Sequence, residues 1–124
     1  MTRILLIEDD SNLRTLLAEV LTRGGYEVIE ACNGEEAVRL FRQAPADLVV
    51  TDVLMPEKDG FETLMELRAE KPTPKILAMS GGGELSAAIY LRMAGRLGVD
   101  CVLAKPFASA EFLGAVKKLA QSTV

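Results

Sequence analysis

The chain has 124 residues, 49% hydrophobic and 26% charged, the balance of a soluble globular domain with one core and no room for a second. Its 14 basic and 18 acidic residues leave a formal net charge of −4, which disfavours direct binding of nucleic acid or anionic lipid. With no histidine and two cysteines, Cys32 and Cys101, in no C-x-x-C pattern, zinc and haem sites are set aside and both thiols read as small, partly buried hydrophobes.

The N-terminal MTRILLIEDD reaches acid after an apolar run too short for a signal peptide or a membrane span. No membrane insertion is expected, and a reducing cytoplasm is the default compartment. Residues 4–7 (ILLI) are wholly apolar without alternation, which predicts a central parallel strand covered on both faces. Leu13, Leu16, Leu17, Val20 and Leu21 then recur at helical spacing, and Gly24 and Gly25 close that helix.

The unit repeats along the chain. Tyr26 to Glu30 predicts a second strand, Asn33-Gly34 a turn, and Glu35 to Gln43 a helix ending before Pro45. The run DLVVTD at 47–52 is a β-branched strand ending in acid. A loop with Pro56 and Gly60 leads to a helix over about Phe61 to Glu70, which Pro72 and Pro74 prevent from continuing. KILAMS at 75–80 predicts the fourth strand. The glycines 81–83 precede a fourth helix carrying Leu85, Ala88, Ile89, Met93 and Leu97, and CVLAK at 101–105 predicts the fifth strand. The last helix shows Phe112, Leu113, Val116, Leu119 and Ala120 on one face, with Ser109 as its expected N-cap.

Five strands alternating with five helices through short connections predict a parallel sheet with helices on both faces, residues 1–124 forming one domain. In such open sheets ligands bind beyond the carboxyl ends of the strands. The polar residues expected there are Glu8, Asp9 and Asp10 after the first strand, Asp52 after the third, Ser80 after the fourth and Lys105 after the fifth.

Carboxylates gathered at one edge repel: two unit charges ~4 Å apart at an effective dielectric of ~20 interact by about 4 kcal/mol. A cation must offset this, and oxygen donors without His or Cys favour a hard ion, Mg²⁺ above Ca²⁺ where water and phosphate also coordinate. Asp10 and Asp52 are the expected direct ligands, with Asp9 bound directly or through water. Taken alone, Asp9-Asp10 also has the character of a helix N-cap, and Asp52 that of a turn residue. Convergence of acids, a hydroxyl and an amine on one edge favours chemistry. A metal-bound carboxylate beside Lys105 and Ser80 is arranged to attack phosphorus and become an aspartyl phosphate.

The segments LLIEDD at 5–10, TDVLMPEKDG at 51–60, AMSG at 78–81 and AKPF at 104–107 resemble, in order and over essentially the whole chain, the receiver domain of two-component response regulators. The resemblance implies a flavodoxin-like doubly wound fold and a regulatory phosphoacceptor rather than an enzyme. It implies that Asp52 takes a phosphoryl group from a sensor histidine kinase, a histidine phosphotransfer protein or a small phosphodonor. Mg²⁺ would be held by Asp10, Asp52 and the Leu54 carbonyl, with Asp9 acting through water. Ser80 matches the hydroxyl switch and Lys105 the phosphate-pairing lysine, and the bond preceding Pro106 is expected to be cis. Output would pass to a downstream protein or to an effector domain, through a surface of the fourth helix, fifth strand and fifth helix.

Three features depart from that pattern. Val102 stands where the family often has an aromatic, with Tyr90 a candidate replacement. The segment between Ser80 and Lys105 is long, and Gly81 with its neighbours either admits backbone N–H groups to a phosphate or simply leads into a longer helix. Lys58 occupies a loop position that is often apolar. Two other classes compete: a phosphohydrolase using the same aspartate, which would want an acid at position 54, and a dinucleotide-binding module, whose glycine fingerprint is replaced here by EDDSNL.

Overall fold

The computed structural model describes residues 2–52, 60–80 and 98–121. Its five strands are β1 (Arg3–Ile7), β2 (Glu27–Ala31), β3 (Leu48–Asp52), β4 (Lys75–Ser80) and β5 (Cys101–Ala104). They form one parallel sheet in the order β2-β1-β3-β4-β5. Among the described residues four helices accompany it: α1 (Ser11–Arg23), α2 (Gly34–Gln43), α3 (Gly60–Arg68) and α4 (Ser109–Gln121). The helix expected after the glycine run, with Gly81 and Tyr90, lies outside the described residues, as do Leu54 and Lys58.

The apolar runs of β1 and β3 lie inside the sheet, so both of their faces are covered. Leu5, Ile7, Val49, Ile76 and Ala78 meet Ala37, Val38 and Phe41 of α2 and Leu64 and Leu67 of α3 on one face. Ile4, Leu6, Leu48, Val50, Leu77 and Met79 meet Leu17, Ala18 and Leu21 of α1 and Phe112 and Val116 of α4 on the other. Period-two alternation thus serves two cores at once. Val102 packs half-buried against the first of these cores.

Element ends differ from expectation by a residue or two, for local reasons. Tyr26 N–H is spent on Leu21 O at 3.2 Å, completing the end of α1, so β2 starts at Glu27. Gly25 adopts φ +94°, a conformation that costs glycine least. Ser109 is not the cap of the last helix: Phe112 N–H donates to Ala108 O at 3.0 Å, which makes Ser109 the first helical residue. The Lys105–Pro106 bond is cis, and so is Lys71–Pro72.

Candidate functional site

The site begins where β1 stops being apolar. Ile7 pairs with Ala31 on one side and Thr51 on the other, and Glu8 N–H still donates to Ala31 O at 3.1 Å. The ladder therefore carries Glu8 one step past the strand, beside Asp52. Both are buried, Glu8 at 1% exposure and Asp52 at 6%. A carboxylate oxygen from each of Glu8, Asp9 and Asp52 lies within 4.8 Å of the others.

Lys105 reaches this cluster from the end of β5. Its Nζ donates to Asp52 Oδ2 at 2.6 Å and to Glu8 Oε1 at 3.0 Å. Burial lowers the Lys105 pKa, but the hydrogen bonds and charges of Asp52 and Glu8 outweigh it and leave the pKa raised, so the ammonium is kept. Glu8 is pushed the other way chemically. Burial and a hydrogen bond with the Asp9 side chain raise its pKa, against the weaker pull of the Asp10 backbone and Lys105. One ammonium does not offset all the acid charge, which leaves the cluster suited to a further hard cation.

Asp10 shows the helix-capping character that the sequence also gave it. Its Oδ1 accepts from Asn12 N–H at 2.9 Å and Leu13 N–H at 3.2 Å, and its carbonyl takes the first helical bond from Arg14 N–H. It is the N-cap of α1, and the acids that meet Asp52 are Glu8 and Asp9. The cap engages Oδ1 of that carboxylate.

Sequence reasoning placed Glu8 at this edge without giving it a role. The available signal was its position directly after an unbroken apolar run: an acid that continues a two-face buried strand is itself buried. Ser80 ends β4 opposite Ala104, and Met79 stands opposite Asp52, so the sheet register brings the Ser80 backbone to the same edge as Lys105. The Ser80 hydroxyl, Leu54 and Gly81 lie outside what is described.

Chemically, a buried carboxylate with an ammonium at hydrogen-bond distance and two more acids beside it fits a cation-assisted nucleophile for phosphorus. Residues 4–117 match the family model described as the response regulator receiver domain. The chain belongs to that family. It is 39% identical over 119 residues to the transcriptional regulatory protein CpxR of Klebsiella pneumoniae, covering 96% of this chain and 49% of that protein. The chain spans about half the length of the curated relatives it matches.

Among solved structures, the receiver domain of the Francisella response regulator 1452 superposes with a TM-score of 0.89 at 25% identity, covering 100% of both chains. TrrA of Thermotoga maritima, solved in complex with Mg²⁺-BeF, gives a TM-score of 0.78 at 36% identity and covers 96% of this chain and 99% of that one. These are CheY-like folds, flavodoxin-like in architecture, and their members are regulators rather than true enzymes. The phosphohydrolase reading finds no support among them.

Proposed function

We propose that residues 1–124 act as one phosphorylation-dependent switch in which Asp52 is the phosphoacceptor. The observation that carries this reading is the Lys105 ammonium bridging Asp52 Oδ2 and Glu8 Oε1 at 2.6 and 3.0 Å, with Asp9 completing the acid cluster. An Asp52 oxygen attacks the phosphorus of the donor, the bond to the donor's imidazole nitrogen breaks, and the electron pair leaves with that nitrogen. Lys105 passes from the carboxylates to a phosphoryl oxygen, aided by Ser80. Such a transfer changes the charge Lys105 faces, and the protein contacts follow.

Mg²⁺ fits the oxygen-only donor set, with Asp10 and Asp52 as its holders, Asp9 acting directly or through water, Glu8 beside them and the Leu54 carbonyl as a further donor. When bound it neutralises charge on the transferring group. The relative solved with Mg²⁺-BeF supports this choice of ion. The donor is a sensor histidine kinase or a histidine phosphotransfer protein, and the compartment is the cytoplasm. The output is a downstream protein or an effector segment, and the half-length match to transcriptional regulators favours the second.

Incubation with acetyl phosphate and Mg²⁺ is expected to place an alkali-labile acyl phosphate on the wild-type chain and none on Asp52→Ala. Full labelling of Asp52→Ala would show that another residue is the acceptor.

A further inference from the structure

Arg14 is the one basic residue of α1's first turn, where the helix dipole is positive and a cation is disfavoured. It is held there by two contacts. Its Nη1 donates to Glu8 O at 2.7 Å, and its Nε lies 3.4 Å from Glu30 Oε1 on the edge strand β2. The Glu8 carbonyl has no strand beyond it to take its bond, and the guanidinium fills that role. The same turn is closed at other points: Asp10 N–H donates to Glu8 Oε2 at 3.2 Å, and Arg14 N–H donates to Asp10 O at 2.9 Å.

We propose that Arg14 is a positioning residue for the acid pair: by gripping the Glu8 carbonyl and bracing on Glu30, it fixes the backbone from which Glu8 and Asp9 meet Asp52. The proposal rests on the reading of that cluster as a Mg²⁺ site. Arg14 acts through the Glu8 backbone and does not itself join the cluster. Geometry and charge make opposite demands on it, which makes the idea decidable. As a nearby positive charge Arg14 opposes a divalent cation, so its removal by charge alone tightens Mg²⁺ binding. As a brace it supports the site, so its removal weakens binding.

The test is Mg²⁺ affinity by calorimetry on the unphosphorylated full chain, for wild type, Arg14→Met and Arg14→Lys, with thermal unfolding in chelator as the folding control. Arg14→Met is expected to weaken Mg²⁺ binding about 10-fold, the scale of losing an outer partner of a metal site. Arg14→Lys keeps the charge but not the two-pronged grip, and is expected to recover part of that loss. Without metal, backbone amide shifts of Glu8 to Asp10 should move in Arg14→Met while those of α4 stay in place. Unchanged or tighter Mg²⁺ binding in Arg14→Met overturns the proposal. If that variant does not fold, Arg14→Lys decides: weaker binding at conserved charge supports the brace, and wild-type affinity overturns it. A wild-type chain that neither binds Mg²⁺ nor accepts phosphate overturns the underlying functional reading instead.

Discussion

The two ends of the one parallel sheet use acids in opposite ways. At the amino end Asp47 Oδ2 accepts from Arg3 N–H and Asp100 Oδ2 accepts from Ile76 N–H, both at 2.9 Å, while Arg3 Nε pairs with Glu27 at 2.9 Å. Each acid there finishes a backbone donor or meets a cation near water. At the carboxyl end Glu8 and Asp52 are buried against each other and share one ammonium. Acids at the first end complete backbone hydrogen bonding; acids at the second gather round one partly buried ammonium. The same residue type thus serves a backbone donor at one end and a buried charge cluster at the other.

The largest expected break in that contrast is Lys105→Met. It should slow phosphate uptake from acetyl phosphate by about 100-fold, the scale of losing one charge-stabilising donor. Retained uptake at the wild-type rate would remove Lys105 from the chemistry. At the other end, Asp100→Ala strips the Ile76 N–H of its acceptor and should cost about 1–2 kcal/mol in denaturant unfolding. Its rate of phosphate uptake should equal that of wild type, and a matching loss of rate would mean that the two ends are not separate in function.

A smaller effect concerns Glu8 in chelator-treated protein. Because burial, joined by the Asp9 hydrogen bond, raises its pKa above the ordinary 4.5, the folded chain binds that proton more tightly than the unfolded one. The resulting stability is fully present below pH 4.5 and is lost as pH rises through the raised value. Glu8→Gln stays neutral throughout, so wild-type stability relative to this variant should fall across that window. A difference that is flat with pH would show that folding leaves Glu8 ionisation unperturbed. Smallest in stability is Asp10→Ser, which keeps an N-cap and should unfold as wild type does while binding Mg²⁺ more weakly. Wild-type Mg²⁺ affinity in Asp10→Ser would leave Asp10 with the helix cap alone.

The sheet was legible because ILLI at 4–7 and LVV at 48–50 are apolar without alternation, a pattern that two-sided burial explains. Asp52 and Lys105 were legible for the same reason, as the first charges after such runs. Glu8 and Asp10 were harder. Three acids in a row show that a strand ends and a helix begins, but which acid faces inward depends on where the β1–β2 ladder stops, and Glu8 N–H extends it one residue beyond the apolar run. The grip of Arg14 on Glu8 O had no pattern at all in the sequence, since it joins residues six apart through a backbone carbonyl.

Only Glu8, Asp9 and Asp10 separate β1 from α1, and each is spoken for: a partner for Lys105, an acid beside Asp52 and a helix cap. The connection therefore has no spare length. Adding or deleting one residue there would either slide the cap off α1 or turn the wrong carboxylate inward, whereas changes of side chain at constant length leave the spacing whole. A one-residue insertion or deletion at this corner therefore disturbs the acid cluster and the start of α1 together.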